Sequence, residues 1–152
     1  MTSRWKYDVF LSFSGVDTRR NFTDHLLAAL KRNDILTFKD DERLDRGKST
    51  LSELLKAIKE SRFAIIIFSK NYASSRWCLD ELAEIVKCKK EKGLTILPIF
   101  YDVDPFDVRK QTGTFGQTFN KHKKQENINK VKTWRNAFKE VADLSGWHLQ
   151  DK

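Results

Sequence analysis

Two stretches of this 152-residue chain are almost unbroken apolar runs: Phe63 to Ser69 reads FAIIIFS and Leu94 to Asp102 reads LTILPIFYD. A strand that is hydrophobic on both faces has to be covered on both faces, which in water calls for a parallel sheet sandwiched between helices. The segments around them fit that demand. Tyr7 to Phe13, Ile35 to Lys39 and a short Gly146 to Leu149 read as three further strands, rich in β-branched and aromatic residues. Between them, helical patterns run over Arg19 to Arg32, Thr50 to Ser61 and Arg76 to Lys92, and Val131 to Leu144 follows an irregular stretch. In the second helix Leu51, Leu54, Leu55 and Ile58 recur at helical spacing and supply a core stripe. The expectation is an α/β flavodoxin-like three-layer fold, a five-stranded parallel sheet of order 2-1-3-4-5 flanked by helices.

The chain is long enough for one sizeable core, not two. We read one domain over residues 7–149, with 1–6 as an N-terminal extension and 150–152 as the start of a linker or of a truncated last helix. No run of 18 apolar residues and no signal-peptide pattern is present, so the reading is no membrane span, with the cytosol as the compartment and the nucleus open as well. Cys78 and Cys88 lie in one helix without metal-ligand spacing and read as packing residues. His25, His122 and His148 are scattered and read as surface or capping residues, so no metal is expected. The net charge of +8 could draw a polyanion, but its densest stretches, Lys87 to Lys92 on a helix end and Lys121 to Lys124 in a loop, carry no interleaved aromatics. Solvated faces are the better reading, and nucleic acid is disfavoured.

In doubly wound sheets, ligands sit where the C-terminal ends of the strands meet the following loops. Those loops are FSGVDTR, KDDERLDRGKST, SKNYASSRW and YDVDPFDVRKQTGTFG. The first has one glycine and no Gly-Lys-Ser/Thr, which excludes Rossmann and P-loop phosphate binding. A phospho-accepting receiver would end its third strand on Asp. Here that strand ends Phe68-Ser69, and Asp8 sits near the start of the first.

YDVFLSF with SGVDTRRNFTDHL, the TFKDDERLDRGK loop, LLKAIKESRFAIIIFSKNYASSRWCLDELAEIV, LPIFYDVDPFDVRKQTGTFG and WRNAFKEVADLSGWHL follow one another with the spacing of plant TIR domains. The chain resembles that family from Tyr7 to Leu149. TIR (Toll/interleukin-1 receptor) domains of this type are the signalling modules of intracellular disease-resistance receptors that also carry nucleotide-binding and leucine-rich-repeat regions. Enzymatic members cleave NAD, as substrate and not as cofactor, at the nicotinamide–ribose bond.

Glu81 falls early in the Arg76 to Lys92 helix, where the dipole favours a carboxylate, one turn after Trp77. By position alone it would equally be a dipole partner, as would Asp80 and Glu84. The resemblance assigns it the catalytic role, because Ser75, Trp77 and Glu81 match the family's SxWCxxE context. A carboxylate there could stabilise or trap the oxocarbenium-like ribose, and nicotinamide, leaving as a neutral molecule, requires no dedicated general acid. Trp77 would suit stacking on nicotinamide or ribose, or plain packing. The resemblance also implies substrate contacts from Phe13, Ser14, Gly15 and Arg19 after the first strand, and from Asp40 and Arg43 after the second. For Arg43 a solvated loop is an equal reading.

Three departures from the family accompany these matches. Ser14-Gly15-Val16-Asp17 stands where many relatives have Arg-Gly-Glu-Asp, the loop from Asp40 to Arg46 is one residue longer than in some members, and the chain stops before a last helix that is common among them. Self-association is implied through two surfaces, one around Asp24 and His25 on the first helix, the other around Gly146 and Trp147. Partners would be NAD, further copies, other TIR domains and the rest of a receptor chain. The function expected is a self-associating NAD-cleaving signalling domain. The alternatives are an adaptor that signals by homotypic association only and, more weakly, a basic nucleic-acid-binding module.

Overall fold

In a computed structural model, which describes residues 5–15, 22–39 and 51–149, one five-stranded parallel sheet organises the chain. Strands β1 (Tyr7–Ser12), β2 (Thr37–Lys39), β3 (Ser61–Phe68), β4 (Thr95–Tyr101) and β5 (Trp147–Leu149) lie in the order β2-β1-β3-β4-β5. This is the expected topology, with the order reversing between β1 and β3. Ser12, the last residue of β1, lies opposite Ile66 of β3 at that switch point.

Side-chain alternation splits the core into two layers. Phe10, Ala64, Ile66, Phe68, Ile96 and Phe100 point to one face. Val9, Leu11, Phe13, Ile65, Ile67 and Ile99 point to the other. The first face is covered by α2 (Leu51–Lys59), α3 (Arg76–Lys92) and α6 (Ile128–Ala142), and the second by Leu26, Leu27 and Leu30 of α1 (Asp24–Arg32). In α2 the expected stripe is present with one exception: Leu54 and Ile58 are buried and Leu55 half-buried, but Leu51, at the helix start, is exposed. Asp8 is a structural residue whose Oδ2 accepts the Leu36 amide at 2.8 Å, fastening the entry to β2.

The expected irregular stretch is in fact helical. It holds α4 (Pro105–Lys110), capped by Asp104 with Pro at its start, and α5 (Thr114–Gln125), and α6 begins at Ile128 rather than Val131. Lys121 to Lys124 therefore lie on the last turns of a helix and not in a loop, where positive charge complements the dipole. His122 is a second correction. It is buried, and Nε2 lies 2.8 Å from the Ala73 carbonyl, which can only accept, so Nε2 is the donor. Its neighbours Phe119 and Trp134 pack edge-on to it. Cys78 and Cys88 are both buried thiols, as read, and burial together with Glu84 pushes the Cys88 thiol up to about 11. Among the described residues, no helix is long and apolar enough to cross a membrane.

Candidate active site

The exit of β3 runs through a 3-10 turn, Tyr72–Ser74, directly into α3. Ser75 caps that helix, its Oγ accepting the Cys78 amide at 3.2 Å, and Gly93 in the left-handed region (φ 76°) closes it at the far end. The basic stretch from Lys87 to Lys92 occupies the last turns, with Lys89, Lys90 and Lys92 at the dipole's negative end. Three contacts clamp the N-terminal turns of α3 and the loop before it to the α5–α6 layer. His122 holds Ala73, the Trp134 indole N–H donates to Asp80 Oδ1 at 3.0 Å, and Arg76 pairs with Glu126 at 2.6 Å.

On that clamped turn Glu81 is 2% exposed. Its Oε1 accepts the Ser12 hydroxyl at 2.8 Å, and Ser12 Oγ lies 2.8 Å from the Tyr72 hydroxyl. Tyr72 Oη also lies 3.3 Å from the Cys78 carbonyl. Burial, with the Cys78 thiol and Glu81 close by, raises the Tyr72 phenol well above its usual value, so it stays protonated. Cys78 Sγ reaches the Phe13 carbonyl at 3.5 Å and ties the end of β1 to α3. The result is a carboxylate held at the sheet's switch point between β1 and the first turns of α3, where a doubly wound fold presents its ligand site.

A family model described as TIR domain matches residues 6–152. The chain belongs to the TIR domain family. It is 59% identical over 146 residues to the disease resistance protein RPV1 of Vitis rotundifolia, covering 95% of this chain and 10% of that protein. With the TMV resistance protein N of Nicotiana glutinosa it shares 51% identity over 147 residues, 95% of this chain and 13% of the relative. The chain thus spans about a tenth of the length of the curated relatives it matches. Among solved structures it is similar to the TIR domains of the activated Roq1 resistosome, which directly recognises the pathogen effector XopQ, with a TM-score of 0.85 and 52% identity over 95% of this chain and 88% of that one. The TIR domain of the Toll-related receptor TRR-2 of Hydra magnipapillata, at 21% identity and a TM-score of 0.53 over 91% of this chain and 100% of that one, shares the fold. This is a plant-type TIR domain, as its motifs implied.

Within the TIR domain, the Phe13 carbonyl meets the Cys78 thiol, Ser75 caps the helix that carries both Cys78 and Glu81, and Glu81 meets Ser12 at the end of β1. Ser14 is buried beside Phe13, Gly15 is half-buried, and Trp77 is half-buried on the first turn of α3. The Phe13 ring itself faces the α1 side of the sheet. Arg19, Asp40 and Arg43, with the lengthened loop, lie outside the described residues. Ser12 and Tyr72 were not singled out from sequence. The available signal was a hydroxyl in a strand otherwise buried on both faces, YDVFLSF, since a buried polar atom needs a partner. On the β3–β4 side of the same sheet edge, a cavity of about 410 Å³ is lined by Ser69, Lys70, Asp102, Asp104 and Thr114. None of these was singled out.

Asp24 and His25 are exposed at the start of α1, and Trp147 is 57% exposed on β5. Gly146 has an internal duty as well: a Cβ on it would stand 2.2 Å from the Pro98 carbonyl oxygen and 2.9 Å from Pro98 Cγ. Only glycine lets the backbone approach β4 this closely. Gly146→Ala is therefore expected to displace β5 and cost about 1–3 kcal/mol, read as a lowered urea midpoint in the dilute monomer. A midpoint unchanged from the parent would mean that Gly146 matters only at the surface.

Proposed function

We propose that this TIR domain is the self-associating signalling module of a plant disease-resistance receptor and hydrolyses NAD at the nicotinamide–ribose bond, with Glu81 as the catalytic carboxylate. The observation that carries the reading is the buried Glu81 carboxylate at the sheet's switch point, accepting a hydroxyl from Ser12. Burying a carboxylate is costly, and such sites are typically kept for chemistry that uses the charge. Facing the ribose, it stabilises the positive charge that develops as nicotinamide departs, and Trp77, one turn earlier on α3, supplies an aromatic wall. NAD is the substrate, and no cofactor takes part. The exposed Trp147 supports a homotypic contact on the β5 edge, and resistosome assembly by a similar TIR domain supports clustering as the trigger. Two buried thiols fit a reducing, cytosolic setting.

Nicotinamide release is to be measured with the domain dilute and with the same domain held at high density on beads. Turnover is expected only when dense, and Glu81→Ala should lower it by at least roughly 100-fold while leaving self-association intact. A dense, self-associating parent that leaves NAD untouched would sink the enzyme and leave the adaptor reading.

A further inference from the structure

We infer that Ser12 and Tyr72 are positioning residues for Glu81, forming a hydroxyl relay that ends on the Cys78 carbonyl and whose direction reverses when Glu81 gains a proton. This rests on the reading of Glu81 as the catalytic carboxylate.

Counting protons gives the relay its direction. Between the Glu81 carboxylate and the Cys78 carbonyl stand two hydroxyls with one proton each. An ionised Glu81 only accepts, so Ser12 must spend its proton on Oε1 at 2.8 Å. The 2.8 Å contact between Ser12 and Tyr72 then has the phenol as donor. Once Glu81 is protonated, its O–H can donate to Ser12 Oγ, Ser12 turns its proton to Tyr72 Oη, and Tyr72 turns its own to the Cys78 carbonyl at 3.3 Å. Every oxygen in the line keeps a partner in both states. The two 2.8 Å contacts serve both arrangements, and the 3.3 Å contact to the Cys78 carbonyl is the one added when Glu81 is protonated. In hydrolysis one water adds to the ribose carbon, its oxygen forming the new C–O bond as nicotinamide takes the electrons of the old C–N bond. The proton lost by that water lands on Glu81 and later passes to solvent. The relay lets the buried carboxylate take that proton without orphaning a hydrogen bond.

The titratable groups around this line, among the described residues, are the Cys78 thiol beside Tyr72, Asp80 turned to Trp134 on α6, and His122 of α5 on the Ala73 carbonyl. None of these three stands between Glu81 and Tyr72. Among the described residues, Ser12 is the hydrogen-bonded link between the two, so most of the effect of Tyr72 on Glu81 should pass through it.

The test combines the Glu81 titration with turnover. In protein labelled with carboxyl-13C glutamate, the resonance lost in Glu81→Gln identifies the site. Ser12→Ala removes a donor that favours the ionised form, so the Glu81 midpoint should rise by roughly one pH unit, the weight of one hydrogen bond to an ionised group. Tyr72→Phe should raise it by less, and adding Tyr72→Phe to Ser12→Ala should shift it little further. The acid limb of NAD cleavage should move up with the midpoint, kcat falling and KM holding within about twofold. Folding is checked by the retained near-ultraviolet spectrum, and Tyr72→Phe, which keeps the buried ring, is the variant to rely on if Ser12→Ala unfolds. A midpoint unmoved in both folded single variants overturns the relay, as does a Tyr72→Phe shift that persists in full without Ser12. Because the titration needs no turnover, a domain that fails to cleave NAD sinks the enzymatic reading without deciding the relay.

Discussion

Replacing Phe68 with alanine is expected to cost about 3–5 kcal/mol, enough to leave a domain of ordinary stability close to unfolded. Phe68 is fully buried at the C-terminal end of β3, where its ring meets Tyr72 edge-on at 5.4 Å, stacks on Phe100 at 5.6 Å and meets Phe138 edge-on at 4.9 Å. Alanine removes a large buried ring and all three ring contacts, and backbone hydrogen bonds to β4 limit how far the site can collapse. Urea unfolding followed by fluorescence reads the loss. The control is Phe106→Ala: that ring is 58% exposed on α4, so its removal should change stability by no more than about 0.5 kcal/mol. Equal losses in the two variants would mean that the ring cluster is not the centre of the core.

Trp134→Ala should be of comparable size, about 3–5 kcal/mol, for a different set of reasons. Its indole is 1% exposed, packs edge-on against His122 at 5.1 Å and donates to Asp80 at 3.0 Å. Removing it opens a cavity between α5 and α6 and strips the Asp80 carboxylate, half-buried on α3, of its donor. Trp134→Phe separates the two effects, since it keeps most of the packing but no N–H, and should cost about 1–2 kcal/mol. A Phe variant as damaged as the Ala variant would show that the hydrogen bond, and not the ring, holds α6 to α3. His122 gives an independent readout, since loss of its aromatic neighbour should shift its ring resonances.

How much of this could be read in the sequence depended on how local the signal was. The runs FAIIIFS and LTILPIFYD announce central strands because each residue of such a strand is buried whatever its neighbours do. The Arg76 to Lys92 helix was readable to the residue, with a serine cap at one end and a glycine stop at the other. The stretch from 105 to 125 was not. Pro105, Gly113 and Gly116 punctuate it, α4 is only six residues long, and the stripe that buries α5 is Phe115, Phe119 and His122. Those three do stand at helical spacing, but a histidine in the third place reads as polar until Ala73 and Trp134 are seen around it. The start of β2 at Thr37 rather than Ile35, and the end of β1 at Ser12 rather than Phe13, are boundary shifts where strands run into loops.

The site divides along the same line. Glu81 is singled out because Ser75, Trp77 and the carboxylate, within one helix start, resemble the family's SxWCxxE context, where position alone would leave it a dipole partner. Its supports are not local: Ser12 lies 69 residues from Glu81 and 60 from Tyr72 along the chain. Only the parallel pairing of β1 with β3 brings them together. Residues joined by topology rather than by spacing leave no periodic trace in a sequence.

Among the described residues, both edges of the sheet are three-residue strands, Thr37–Lys39 on one side and Trp147–Leu149 on the other. An edge this short offers a neighbouring chain almost no row of backbone donors and acceptors to copy. Contacts between copies along these edges would be made by side chains, without any strand changing hands. In the described residues, the sheet of this domain is therefore a poor template for a growing fibre.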